Sequence, residues 1–85
     1  MKKLKYKIKD ELGMHARPAG QLVKKLKEFT CTVSIGRDEQ MVDAKRIFSV
    51  MSLGMKCGEE LVLMFDGIDE DIAITETASF LSASL

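Results

Sequence analysis

The sequence is poor in the residues that build metal centres and disulfide frameworks. Its 85 residues include no tryptophan, one proline, one histidine and two cysteines, Cys31 and Cys57. The cysteines form no CxxC pair, and with a single histidine they cannot supply the four ligands of an ordinary zinc site. No apolar run approaches the ~20 residues that a membrane-spanning helix needs. These absences favour a reduced, cytoplasmic protein with two free thiols, without a metal or other cofactor and without stable membrane association.

Charge of one sign is also missing from the chain as a whole. The formal net charge is +0, so no overall excess attracts nucleic acid or an anionic surface. Five lysines lie within residues 1–9, which is the one feature suited to a nucleic-acid-binding α/β domain. The chain offers no basic GxxG loop and no aromatic pair for stacking bases, so we expect no nucleic-acid partner. Residues 1–9 also lack the apolar run of a secretory leader, and none is expected.

Hydrophobic periodicity predicts four strands and three helices. Leu4, Tyr6 and Ile8 alternate with lysines, which indicates a first strand with one wet face. From Ala16 the apolar residues recur at intervals of three and four, which indicates an amphipathic helix, and Pro18 fits its first turn. The later elements are strands over 31–35, 40–43 and 60–66, a turn at 36–39, a short helix over 46–53 ended by Gly54, and a helix that begins near 69–71.

The resulting order, βαββαβα, predicts an α/β (α+β) domain over residues 1–85 with two layers, one sheet and helices on one of its faces. A right-handed first crossover makes the first two strands parallel and leaves room for the fourth strand between them.

The only histidine lies within GMHARPAG, residues 13–20. His15 directly precedes the predicted helix start, and helix N-termini bind anions through free N–H groups and a partial positive charge. Arg17 adds a guanidinium whose fork suits phosphate oxygens. A neutral imidazole nitrogen here can attack a phosphoryl group, and a helix end worth about 0.3–2 kcal/mol holds the product without trapping it. A solvated or capping histidine is the simpler interpretation, and the eight residues alone leave both open.

A second motif, VMSLGMKCG at residues 50–58, lies downstream. Together with GMHARPAG it resembles the HPr family, the histidine-containing phosphocarriers of the bacterial phosphoenolpyruvate-dependent sugar phosphotransferase system. The resemblance covers essentially the whole chain. It implies an open-faced β-sandwich whose four-stranded antiparallel sheet is covered on one face by three helices. It also implies a phosphohistidine intermediate in a phosphotransferase chain rather than a free-standing enzyme, with enzyme I as donor and a sugar-specific enzyme IIA as acceptor. We expect a monomer.

The resemblance further implies a role for each matched residue. His15 carries the phosphoryl group on its δ nitrogen, and Arg17 pairs with that group. The backbone N–H groups of Ala16 and Arg17 help to receive it, and Pro18 fixes the helix start. Both partner proteins dock on one surface around the histidine, whose members are Gly20, Gln21, Lys24, Lys27, Ile47, Phe48 and Met51.

The short second helix has more apolar side chains than the single buried face of a helix uses. Plain core packing is the alternative to docking for these residues. We expect docking for Ile47 and Phe48, and burial for Val50 and Leu53.

Two residues depart from the family pattern. Arg46 stands where the family has a serine that HPr kinase phosphorylates, so no regulatory site is expected there. Leu12 stands where the family often has a small polar residue near the histidine, and a hydrogen bond to the ring could be missing. These departures motivate a second hypothesis, an HPr-like regulatory or adaptor paralogue that is not used for sugar transport.

Overall fold

The computed structural model describes residues 1–85 and confirms the predicted order of elements, βαββαβα. The strands are β1 (Lys2–Lys7), β2 (Thr32–Arg37), β3 (Gln40–Asp43) and β4 (Glu60–Asp66), and the helices are α1 (Ala16–Leu26), α2 (Ile47–Ser52) and α3 (Glu70–Ser84).

The four strands form one antiparallel sheet in the order β1-β4-β2-β3. Strands β1 and β2 are therefore parallel to each other with β4 between them, as the right-handed crossover predicts. The central strand β4 is the most apolar, and its residues Leu61, Leu63 and Phe65 are fully buried. Because alternate residues of a strand face the same side, these three side chains form the floor of the core.

The three helices cover that floor on one face of the sheet. Helix α1 contributes Leu22 and Leu26, α2 contributes Val50, and α3 contributes Ala73 and Leu81, all of them without exposed surface. The opposite face is open and carries the lysines of β1, which confirms the predicted wet face. No helix has the length and apolar character that crossing a membrane requires.

The turn predicted at residues 36–39 is wrong in its first half. Strand β2 begins at Thr32 and continues through Gly36 to Arg37, and only the next two residues turn. Gly36 pairs with Met41 and Val62 inside the sheet. Its φ is +154°, and a Cβ added there would lie 2.0 Å from the carbonyl oxygen of Gln40. The glycine therefore permits a close approach of two strands rather than a turn.

The acidic start of α3 is confirmed, but its first acid acts outside the helix. Asp69 is the N-cap residue and makes no side-chain cap. Its carboxylate instead accepts hydrogen bonds from the backbone N–H groups of Thr30 at 2.8 Å and Cys31 at 2.9 Å. Both bonds lower the pKa of Asp69, and the bond from Thr30 has the larger effect. The carboxylate thus joins the start of α3 to the chain that enters β2.

Helix α3 buries one hydroxyl without a partner, and this predicts a stabilising substitution. Thr77 has no exposed surface, and its Oγ1 finds no hydrogen-bond partner. An unsatisfied buried polar group costs about 1–3 kcal/mol. Thr77→Val keeps the shape and removes the hydroxyl, so we expect the free energy of unfolding in urea to rise by about 1 kcal/mol. The control is Thr75→Val, because Thr75 is exposed and its hydroxyl donates to the Asp71 carbonyl at 3.0 Å. If the Thr77→Val protein is no more stable than wild type, the Thr77 hydroxyl is not an unsatisfied buried group.

Candidate functional site

The segment that leads from β1 to His15 is held by backbone hydrogen bonds. The N–H groups of Lys9 and Asp10 both donate to the Leu85 carbonyl, at 2.7 and 2.9 Å. Asp10 then organises a tight turn, because its Oδ1 accepts the N–H of Leu12 at 2.9 Å and its carbonyl accepts that of Gly13 at 2.9 Å. The position of Asp10 is therefore fixed from both of its sides.

Gly13 brings the chain against the loop that follows α2. Its φ is +66°, and an added Cβ would lie 2.5 Å from the Met55 carbonyl oxygen and 2.8 Å from the Cα of Lys56. The next residue, Met14, is buried and donates its N–H to the same Met55 carbonyl at 2.9 Å. Glycine is required here both for the left-handed backbone and for the close approach. The result is a fixed entry into α1.

The loop that receives Gly13 is itself clamped to the sheet. The guanidinium of Arg37 donates to both carboxylate oxygens of Glu59 at 3.1 Å and to the Leu53 carbonyl at 2.9 Å. Glu59 also accepts the Lys56 N–H at 2.7 Å. The hydrogen bond from the Lys56 N–H lowers the pKa of Glu59 most, and the hydrogen bonds from Arg37 lower it further. This clamp holds residues 53–59 in place against the end of β2.

His15 occupies the N-cap position of α1 with an extended backbone, φ −88° and ψ 179°, yet its side chain makes no cap. The imidazole is one-third exposed, and its Nε2 lies 3.5 Å from Oδ2 of Asp10. The N–H groups of Ala16 and Arg17 have no acceptor within the chain, as expected for the first turn of a helix. Pro18 is buried in that turn and has no N–H to satisfy.

His15, Arg17 and Pro18 open onto a cleft of about 310 Å³. The Arg17 side chain lines it, is exposed and is not paired with any carboxylate of the chain. An anion in the cleft would meet the Arg17 guanidinium and the His15 imidazole at the start of α1, opposed by the single carboxylate of Asp10. The complete lining is Asp10, His15, Arg17, Pro18, Gln21 and Ser84.

The remaining residues predicted for docking lie on α1 and α2, two helices in contact. Phe48 is 85% exposed and Met51 is 40% exposed, whereas Val50 and Leu53 are buried as expected. Ile47 is half-buried and packs on the core, so it offers less free surface than the sequence suggested. The members on α1 and at its C-terminal end all lie exposed at the surface: Gly20, Gln21, Lys24 and, directly after the helix, Lys27.

Sequence reasoning missed three residues of this site. Asp10 was assigned no role from the sequence, although an Asp two residues before Leu12 and three before a glycine is a turn signal. Ser84 and Leu85 carry no sequence signal at all, because they reach the site only through the packing of α3 beside β1. The side chain of Leu12, in contrast, points into solvent with 73% of its surface exposed.

Arg46 lies at the edge of this surface. It is the N-cap residue of α2, is largely exposed, and pairs with Asp43 at 3.5 Å. An exposed pair of this kind contributes little to stability.

The open-faced α+β fold and a histidine beside free helix N–H groups define a small protein suited to carrying an anionic group. A family model described as "PTS HPr component phosphorylation site" matches residues 2–83. The phosphocarrier protein HPr of Lysinibacillus sphaericus is 38% identical over 82 residues, which are 96% of this chain and 93% of that protein. The chain therefore belongs to the HPr family, the phosphocarriers of the phosphotransferase system.

Solved structures agree with this assignment. The crystal structure of an HPr from Thermoanaerobacter tengcongensis superposes with a TM-score of 0.92 at 33% identity, over 99% of this chain and 94% of that one. The Bacillus subtilis catabolite repression protein Crh, described as a dimer with a swapped domain, superposes with a TM-score of 0.77 at 32% identity, over 100% and 98% of the two chains. The open-faced sandwich is thus confirmed, and the neighbours include a relative named for regulation.

Proposed function

We propose that His15 accepts a phosphoryl group from phosphorylated enzyme I and passes it to a sugar-specific enzyme IIA. The observation that carries this proposal is the position of the imidazole. It lies at the start of α1, beside the free N–H groups of Ala16 and Arg17 and the unpaired Arg17 guanidinium. Nδ1 is the ring nitrogen that does not face Asp10, and it is the proposed acceptor.

The transfer itself needs little from the protein beyond placement and charge. The Nδ1 lone pair forms the new N–P bond while the bond between phosphorus and the donor nitrogen breaks, and its electron pair stays on the donor. The phosphoryl oxygens then meet the helix end and the guanidinium. These interactions are individually weak in a cleft open to water, so the group can leave again toward enzyme IIA.

The decisive experiment is incubation with enzyme I and radiolabelled phosphoenolpyruvate. We expect one acid-labile, base-stable phosphoryl group per chain, which is then lost on addition of an enzyme IIA. No labelling, or an acid-stable label of the serine type, would refute the proposal.

The docking surface is proposed to comprise Gly20, Gln21 and Lys24 of α1, Lys27 directly after α1, and Ile47, Phe48 and Met51 of α2. Basic α1 residues beside an exposed apolar side chain suit brief contact with acidic partners.

Phe48 provides the sharpest test of this surface. Covering its ring is worth about 1.5–3 kcal/mol, and about 1.4 kcal/mol is tenfold in affinity. For Phe48→Ser we therefore expect about a tenfold higher KM for this chain as substrate of enzyme I, with an unchanged melting temperature. The matched control is Ile72→Ser on α3, an apolar residue that is 54% exposed and lies outside the surface. Equal effects of the two substitutions would place docking elsewhere.

The second candidate function is an HPr-like regulatory or adaptor paralogue that does not serve sugar transport. Arg46, the exposed Leu12 and the similarity to Crh favour it. Arginine has no hydroxyl to phosphorylate, so we propose that position 46 carries no regulatory modification, unlike the serine of the family. If this chain restores the growth of an HPr-deficient strain on a sugar of the phosphotransferase system, the carrier function is supported. If it fails to restore growth although His15 is labelled, the paralogue is supported.

The carrier function is proposed to operate as a monomer in the cytoplasm, where brief contact with two partners in turn requires an uncovered surface. Because Crh is described as a swapped dimer, the molar mass in solution is the relevant measurement. Light scattering is expected to give the mass of one chain, and a stable dimer would overturn this part of the proposal.

A further inference from the structure

We propose that Asp10 is a positioning residue for His15, which directs phosphorylation to Nδ1 by holding the Nε2 side of the ring. The inference rests on the proposed function of His15.

Asp10 is held more firmly than a surface carboxylate. Its N–H donates to the Leu85 carbonyl at 2.9 Å, its carbonyl accepts the Gly13 N–H at 2.9 Å, and its Oδ1 accepts the Leu12 N–H at 2.9 Å. Only Oδ2 is free, and it lies 3.5 Å from Nε2 of His15. The side chain is 27% exposed and the imidazole 33% exposed, so both partners are partly withdrawn from water. The carboxylate is therefore aimed at the ring by its own turn.

A carboxylate accepts hydrogen bonds and cannot donate them. Beside Nε2 it favours the tautomer that carries its proton on Nε2, and the lone pair is then on Nδ1. The separation of 3.5 Å is longer than a hydrogen bond, but such contacts tighten when the reacting group binds. In metal sites the same logic applies, since the partner of one ring nitrogen decides what the other can bind.

The charge of Asp10 also fits the product. When the Nδ1 lone pair forms the N–P bond, Nε2 keeps its proton, so the phosphorylated ring carries a positive charge. Asp10 faces that charge, while Arg17 on the same cleft faces the phosphoryl oxygens. In the onward transfer the N–P electron pair returns to Nδ1, and the neutral tautomer is restored without movement of the Nε2 proton.

A purely structural role in the turn is the alternative, and Asp10→Asn separates the two. The amide oxygen can replace Oδ1 as acceptor for Leu12, which leaves the turn intact. The amide NH2 then faces His15, and a donor there favours an unprotonated Nε2. A structural role predicts no change in the ring, whereas a positioning role predicts that the tautomer preference inverts.

The experiment uses the full chain labelled with ¹⁵N, whose one histidine gives unambiguous imidazole signals. For the wild type we expect the Nε2–H tautomer, and for Asp10→Asn a shift of about tenfold in the tautomer ratio toward Nδ1–H. Phosphoramidate, a small phosphoryl donor, then tests the consequence without any partner protein. The wild type should give the Nδ1 product, and Asp10→Asn should add an Nε2 product, both distinguished by ³¹P–¹⁵N coupling.

The control is Glu11→Gln, which removes a neighbouring exposed charge and should change neither readout. Asp10→Ala checks the result with a side chain that neither donates nor accepts, and it should lose the preference without inverting it. Identical tautomers and identical products in wild type and Asp10→Asn would overturn the proposal. That failure is distinguishable from failure of the proposed function, because labelling by enzyme I is measured on the wild type alone.

Discussion

Replacing His15 with asparagine is expected to abolish labelling by enzyme I and, in the same protein, to raise the free energy of unfolding by about 0.5–1 kcal/mol. The loss of labelling follows from composition, because the chain has no second imidazole that could take over. The gain in stability follows from the cap position. His15 has the extended backbone of an N-cap residue but makes no cap hydrogen bond, and the Arg17 N–H has no acceptor. Asparagine is among the best N-cap residues and can supply that acceptor.

The comparison with His15→Ala makes this prediction specific. Alanine also abolishes labelling, but it cannot cap, so its stability should stay within about 0.5 kcal/mol of wild type. Urea unfolding of the three proteins at neutral pH measures the difference, and labelling is followed on the same samples. A large loss of stability in both variants would mean that the imidazole is mainly structural. The expected pattern, an inactive protein that is more stable than the active one, would show that the position is selected for chemistry at some cost in stability.

The fold of this chain could be predicted from local signals because its elements agree with their periodicity. Strand β4 and the start of α1 at Ala16 lie where alternation and the three-to-four spacing indicate them. Gly36 was misjudged because a glycine indicates a turn and a close strand contact equally well from sequence. Only the position of the Gln40 carbonyl, 2.0 Å from an added Cβ, decides between them.

The candidate site could be predicted only in part, for a related reason. His15 and Arg17 are neighbours in sequence, so a motif can find them. Asp10 belongs to the site because a turn brings its Oδ2 within 3.5 Å of Nε2 of His15. Leu85 belongs to it because α3 packs beside β1. Ile47 was expected to dock, yet it is only partly exposed because it packs against the core. Distances that depend on how two elements pack are not encoded in local patterns.

Gly13→Ala is expected to have the largest effect on stability of any single methyl group added near the site. Two costs combine at this position. The backbone φ of +66° is in the left-handed region, where an alanine costs about 1–2 kcal/mol. The added Cβ would also lie 2.5 Å from the Met55 carbonyl oxygen, and that oxygen belongs to backbone clamped through Arg37 and Glu59. The loop cannot yield without losing the hydrogen bond from Met14 to Met55. We expect a total loss of about 2–4 kcal/mol, a large share of the stability of a small domain.

Gly54→Ala, in the loop that Gly13 packs against, separates the two costs. Gly54 has a φ of +59°, close to that of Gly13, but an added Cβ there has no atom within 4 Å. Gly54→Ala should therefore lower the free energy of unfolding only through the strained left-handed backbone, by about 1–2 kcal/mol. The excess of Gly13→Ala over Gly54→Ala in urea unfolding measures the steric contact between the entry to α1 and the loop. Because the same contact fixes the entry to His15, only Gly13→Ala should also slow phosphoryl transfer in protein that is still folded. Equal losses of stability in the two variants, with equal transfer rates, would mean that the loop yields freely and that the placement of His15 does not depend on it.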